Sequence, residues 1–158
     1  MKKGIILFAI ISVLGVSCSK PTTEFLSYEE QLVVDSGIID AYLTENGLTA
    51  ETTPEGLRYK ITEAGNGDFP TTGTSVVVNY TGKLLNGNVF DSNNKGSFSF
   101  ALGTRRVISG WDIGIALLSK GGKATLYLPS GLAYGTRGAG GDIGPNEVLI
   151  FDVELVNF

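Results

Sequence analysis

The sequence predicts an α+β fold, an antiparallel β-sheet wrapped around one short helix, with a separate helical segment leading into it. Three observations carry that prediction. The stretches 75–85, 123–128 and 148–157 alternate apolar and polar residues with a period of two, which places one face of each strand against a core and the other toward water. Ser109 to Leu118 is the one strong short helix candidate in that region. The chain also has 22 glycines in 158 residues, which favours many turns over long helices. A chain of this length holds one buried core with appendages.

The elements follow in order. Lys2 and Lys3 precede the apolar run Ile5 to Ile11, and Val13-Leu14-Gly15-Val16 lead to Ser17-Cys18. A basic start, a short apolar run and small residues form a secretory signal over residues 1–17. The run is too short for a membrane span, which needs about 20 apolar residues. Cys18 sits where a bacterial signal peptidase exposes a cysteine for lipid attachment, so the segment resembles a lipoprotein signal, with Gly15 where that motif usually has leucine. Acylation also removes a free thiol that would be a liability in an oxidising compartment.

Residues 18–56 read as a lipidated tether followed by an acidic helical segment. From Lys20 to Leu57 there are one basic and eight acidic residues, whereas from Arg58 onward there are nine basic and eight acidic. Tyr28, Leu32, Ile39 and Leu43, with Ile38 and Tyr42 alongside, fit one face of a helix. Ser27 and Glu30 have capping-box spacing, and Asn46-Gly47 supplies a stop. Gly37 invites a bend. This helix reads either as an appendage covering part of the domain, the favoured alternative, or as a dimerisation or partner-docking helix. Pro54-Glu55-Gly56 then turns the chain into a strand at Leu57 to Ile61.

In the strands, the inward sets are Val76, Val78, Tyr80 and Leu84; then Ala124, Leu126 and Leu128; then Leu149, Phe151, Val153 and Leu155. Composition removes much chemistry. The chain has no histidine and one cysteine, hence no histidine base, no Ser-His or Cys-His pair, no Cys/His metal site and no internal disulfide. A net charge of −4 without a basic face argues against nucleic-acid binding.

Four motifs in order carry a resemblance: Val76-Val77-Val78-Asn79-Tyr80-Thr81-Gly82 running to Val89-Phe90-Asp91-Ser92, Val107-Ile108-Ser109-Gly110-Trp111-Asp112, Leu128-Pro129-Ser130-Gly131-Leu132-Ala133-Tyr134-Gly135, and Pro145-Asn146-Glu147-Val148 running to Leu155. Residues 57–158 thereby resemble the FKBP family of peptidyl-prolyl cis-trans isomerases. The resemblance implies that family's fold and activity, with no cofactor and no metal. Position by position it implies catalytic roles for Tyr80, Phe90, Asp91, Trp111 and Tyr134, and substrate-binding roles for Phe98, Val107, Ile108, Ile143 and Phe151. Trp111 would form the pocket floor, the Ile108 N–H and the Tyr134 hydroxyl would meet the peptide, and Asp91 would orient the carbonyl before proline and hold Tyr80. Taken singly, each aromatic could equally be a core residue and Asp91 a turn residue.

Two departures from the family stand out. The segment from Ser92 to Ser97 lacks the arginine that many relatives place near the aspartate, and Lys95 cannot supply the same bidentate fork. The 135–145 loop holds five glycines, with Gly144 where relatives usually have proline. The resemblance further implies Xaa-Pro segments of unfolded or exported proteins as partners and macrolides of the FK506/rapamycin type as ligands. With Cys18 lipidated, the expected location is a membrane of the bacterial cell envelope, the outer membrane facing the periplasm. The rival readings are a proline-segment-binding chaperone or assembly lipoprotein with little turnover, and a structural envelope lipoprotein in which the lead helix matters more than the pocket.

Overall fold

A computed structural model describes residues 26–158; the proposed signal, Cys18 and the tether lie outside the described residues. The first element is helix α1, Tyr28–Glu45. Its N-terminus carries the capping box expected from the sequence. The Ser27 hydroxyl accepts from the Glu30 N–H at 3.2 Å, and the Glu30 carboxylate accepts from the Ser27 N–H at 2.9 Å. The helix ends at Asn46, and Gly47 turns the chain with φ of +63°, the left-handed conformation that glycine adopts without steric cost. It runs through Gly37 without a break, because intact hydrogen-bonded turns on both sides outweigh the roughly 1 kcal/mol that glycine costs there.

The sheet holds β1 (Glu51–Thr52), β2 (Arg58–Glu63), β3 (Ser75–Leu84), β4 (Val89–Ala101), β5 (Lys123–Leu128) and β6 (Leu149–Asn157). Its spatial order is β1-β2-β5-β6-β3-β4, and every neighbouring pair is antiparallel. Helix α2, Ser109–Ile115, lies against one face. Val76, Val78, Leu126, Leu128, Leu149 and Leu155 point toward it and are fully buried. The inward sets expected from alternation therefore form this core, with Leu84 half-buried at its edge.

The expectation that the sheet is covered on one side is corrected at one end. Ile39 and Leu43 of α1 pack on Tyr127, Val148 and Ile150, which lie on the opposite face. The helix face that docks is therefore centred on Asp35, Ile39 and Leu43, while Tyr28 and Ile38 are exposed. Arg58 on β2 reinforces the seat by forming a two-pronged contact with Asp40 at 3.1 and 3.2 Å.

β3 and β4 form a hairpin through Asn86-Gly87, Gly87 having φ of +87°. β4 is interrupted by a wide bulge. Val78 pairs with Phe98 but Tyr80 pairs with Asn93, so residues 94–97 stand opposite Asn79 alone. Asn79 holds the bulge by accepting the Gly96 N–H at 2.7 Å and is itself fixed by Glu154, which accepts its amide at 2.8 Å. Extra residues of this kind re-aim the side chains on either side. Here Phe98 follows the bulge directly, and a second shift between the Gly82–Asp91 and Lys83–Val89 pairs leaves Phe90 unpaired beside Asp91.

Candidate active site

Between the concave face of the sheet, the start of α2 and the loop after β5 lies a cavity of about 850 Å³. Nine of the ten residues expected to form a pocket line it: Tyr80, Phe90, Asp91, Phe98, Val107, Ile108, Trp111, Tyr134 and Phe151. Ile143 does not. It is buried in the main core, and its backbone pairs with Ala139 across the glycine-rich loop. The loop folds inward on itself there because Gly138, with φ of +62°, brings its own Cα against the Ile143 carbonyl and leaves no room for a Cβ. Ile143 shares that core with Tyr80, Trp111 and Phe151 but is not among the residues that line the cavity.

The walls are made by rings meeting edge to face. Tyr80 lies 4.8 Å from Trp111 at 74°, Trp111 lies 5.3 Å from Phe151 at 87°, and Phe98 lies 5.6 Å from Trp111 at 89°. Phe90 meets Phe151 at 5.5 Å and 84°. Such contacts add about 0.5–1.5 kcal/mol each beyond burial, so the rings brace one another. The Trp111 indole N–H is buried without an acceptor among the described residues, which leaves that ring held by packing alone.

Polar groups are few. The Tyr80 hydroxyl donates to Asp91 Oδ2 at 2.8 Å. Burial, that hydrogen bond and the charge of Asp91 push the Tyr80 phenol up to about 12, so it remains a donor at neutral pH. Tyr134 also lines the cavity, 37% exposed; burial of its ring and then the Asp91 charge raise its phenol as well. Ile108 is the residue at which α2 begins. Its carbonyl accepts from Trp111 at 2.9 Å, while its own N–H donates to no group among the described residues. Lys95 is exposed on the bulge and forms no ion pair with Asp91 among the described residues. Among the described residues, the side-chain hydrogen bond to that carboxylate comes from Tyr80.

Sequence reasoning missed three contributors. Gly82 of β3 lies beneath Phe90 and Phe151: a Cβ there would stand 2.6 Å from Phe90 Cε2 and 2.7 Å from Phe151 Cε1. The signal was available, since a glycine inside a strand pattern marks close approach. Asp112 accepts the Gly103 N–H at 2.8 Å and the Arg105 N–H at 3.1 Å, tying the turn before Val107 to α2. Arg105 occupies φ of +58° in that turn, so the anchor offsets a strained backbone. Arg137 joins Arg106 on the rim. The described residues include no group of three or more His, Cys, Asp or Glu side chains placed to hold a metal ion.

An aromatic cavity with one hydrogen-bonded carboxylate, a free backbone donor and a phenol can bind and distort a peptide segment. It offers no paired acid and base and no activated nucleophile. Comparison with known proteins points the same way. The family model for FKBP-type peptidyl-prolyl cis-trans isomerase matches residues 66–156. The chain is 50% identical over 121 residues to a Neisseria meningitidis protein named probable FKBP-type peptidyl-prolyl cis-trans isomerase FkpA, covering 74% of this chain and 44% of that one. It is 41% identical over 122 residues to a Legionella longbeachae protein named outer membrane protein MIP, covering 75% of this chain and 52% of that one. The chain thus spans about half the length of these curated relatives. The crystal structure of FkpA from Escherichia coli matches with a TM-score of 0.66 and 36% identity, over 82% of this chain and 61% of that one. On its fold, its cavity and these likenesses, the chain belongs to the family of FKBP-type peptidyl-prolyl cis-trans isomerases.

Proposed function

We propose that this protein catalyses cis–trans isomerisation of Xaa-Pro peptide bonds in unfolded or exported polypeptides, from a lipid anchor at Cys18 in the bacterial cell envelope. The observation that carries the catalytic part is the aromatic cavity over Trp111 with the Tyr80–Asp91 hydrogen bond in its wall. Rotation about the bond faces a barrier of roughly 18–20 kcal/mol because twisting removes amide resonance. The twisted amide is less polar than either planar form, so an apolar, water-poor cavity favours it. The proline ring seats on Trp111 among Tyr80, Phe98 and Phe151. The Ile108 N–H holds a peptide carbonyl in place, and the Tyr134 hydroxyl supplies a second donor. Asp91 orients the carbonyl before proline and keeps Tyr80 in position; it takes up no proton.

The same cavity is of a size that accepts drug-sized ligands, which supports binding of FK506-type macrolides. The name of the Legionella longbeachae relative, outer membrane protein MIP, supports an envelope location, as does the signal-like start of the chain. No helix among the described residues is long and apolar enough to cross a membrane.

The test is refolding of a protein whose slow phase is Xaa-Pro isomerisation, a step of tens to hundreds of seconds at 25 °C. Catalytic amounts of this protein are expected to shorten that phase. Binding of the refolding chain without acceleration would favour the chaperone reading instead. Mass spectrometry of the protein made in a bacterial envelope is expected to show a lipid on Cys18, and an unmodified soluble form would remove the anchor from the proposal.

A further inference from the structure

The turn that carries Tyr134 has no cap of its own. It begins as a single 3₁₀ turn, Ser130–Leu132, whose preceding residue Pro129 provides no side-chain acceptor. The missing acceptor comes from 95 residues away. Asp35 Oδ2 accepts the Ser130 N–H at 2.7 Å and the Ser130 hydroxyl at 2.6 Å. Its other oxygen accepts from the Gln31 amide at 2.7 Å, one helical turn back on α1. Asp35 and Ser130 are both 0% exposed, and no lysine or arginine pairs with Asp35 among the described residues.

A fully buried acid is an inefficient way to dock a helix, since apolar side chains of similar volume serve as well or better. Docking is already supplied by Ile39 and Leu43. The Asp35 carboxyl has instead a specific address, the first free N–H of the turn, where an acceptor is most needed. Downstream, Leu132 donates to the Pro129 carbonyl and Ala133 to the Ser130 carbonyl, each at 2.9 Å, and the next residue is Tyr134. On its inner side the turn abuts α2: a Cβ on Gly110, next to Trp111, would stand 3.2 Å from the Leu132 carbonyl oxygen. On its outer side the Tyr28 ring of α1 covers Gly131, where a Cβ would stand 2.5 Å from Tyr28 Cε2. The turn is therefore clamped between α1 and the helix that forms the pocket floor.

We propose that Asp35, acting through Ser130, is a positioning residue for the active site: it fixes the turn that presents Ala133 and Tyr134 to the cavity and makes α1 part of the catalytic unit. The proposal rests on the assignment of that cavity as the isomerase site. The test uses the whole purified protein and two readouts, amide hydrogen exchange at Leu132 and Ala133 and kcat/KM on an Xaa-Pro peptide. Asp35→Ala is expected to speed exchange at both amides by at least about tenfold while β5 and β6 keep their protection, and to lower kcat/KM by about tenfold. Asp35→Asn, which keeps an oxygen for the Ser130 N–H, is expected to recover most of both. A folded Asp35→Ala protein with native exchange at these amides, or with exchange raised equally across β5 and β6, overturns the proposal. Should that variant not fold, Asp35→Leu, which fills the space but removes both acceptor oxygens, decides the matter: native exchange at Leu132 and Ala133 would overturn it. If the unsubstituted protein shows no isomerase activity, the functional reading fails, while the exchange measurement still decides whether Asp35 holds the turn.

Discussion

At the scale of single residues, Asp91 and Tyr80 form the hydrogen-bonded pair of the site, joined at 2.8 Å, and no arginine pairs with Asp91 among the described residues. Asp91 is itself exposed, so its removal opens no hole in the core, although it takes from buried Tyr80 its hydrogen-bond acceptor. Asp91→Ala is therefore expected to lower kcat/KM roughly 10- to 100-fold, the equivalent of the 1.5–3 kcal/mol typical of a hydrogen bond to a charged group, with an unchanged circular-dichroism spectrum. The titration behaviour follows from the same residues. The chain contains no histidine, and Tyr80 and Tyr134 both ionise above the ordinary tyrosine value. Activity is expected to be flat from about pH 6 to about pH 9. Stability has a definite sign at the alkaline end. The folded state holds the Tyr80 proton more tightly than the unfolded chain, so this contribution is complete below the ordinary tyrosine pKa of about 10 and is lost as pH rises toward about 12. Denaturant midpoints measured across that window should fall with pH, and fall less in Tyr80→Phe.

At the scale of elements, α1 is the informative case. Its capping box and its Asn46-Gly47 stop were legible in the sequence, because both depend on local chemistry. The face it buries was only half legible: Ile39 and Leu43 were, but Asp35 at the centre of that face reads as a surface acid until its partner Ser130 is known. The converse signal lay in the strands. Tyr127 and Ile150 are apolar at positions where alternation calls for polar residues, and they mark the patch under α1. Leu43→Ala, at a site 8% exposed, is expected to destabilise the protein by about 2–5 kcal/mol while leaving kcat/KM per folded molecule within about twofold, since Leu43 lies outside the cavity. Thermal unfolding followed beside activity checks both halves. A fall in activity without a fall in stability would place Leu43 in the catalytic unit.

At the scale of the whole molecule, the period-two pattern gave the sheet and its main core because each strand buries one face, and motif order gave nine of the ten pocket residues. Ile143 escaped because its placement depends on how a glycine-rich loop closes, through Gly138 and the Ala139–Ile143 pairing, which side-chain pattern does not encode. The bulge at residues 94–97 escaped for a related reason: it is set by Asn79, a residue of the neighbouring strand. What unites the molecule is an aromatic cavity, proposed here to bind the twisted amide better than either planar form. The most direct measurement is the cis-to-trans relaxation of a short Xaa-Pro peptide in the presence of the purified protein, with and without FK506. Acceleration that the drug abolishes is expected. A folded protein that leaves the relaxation rate unchanged would contradict catalysis by this cavity.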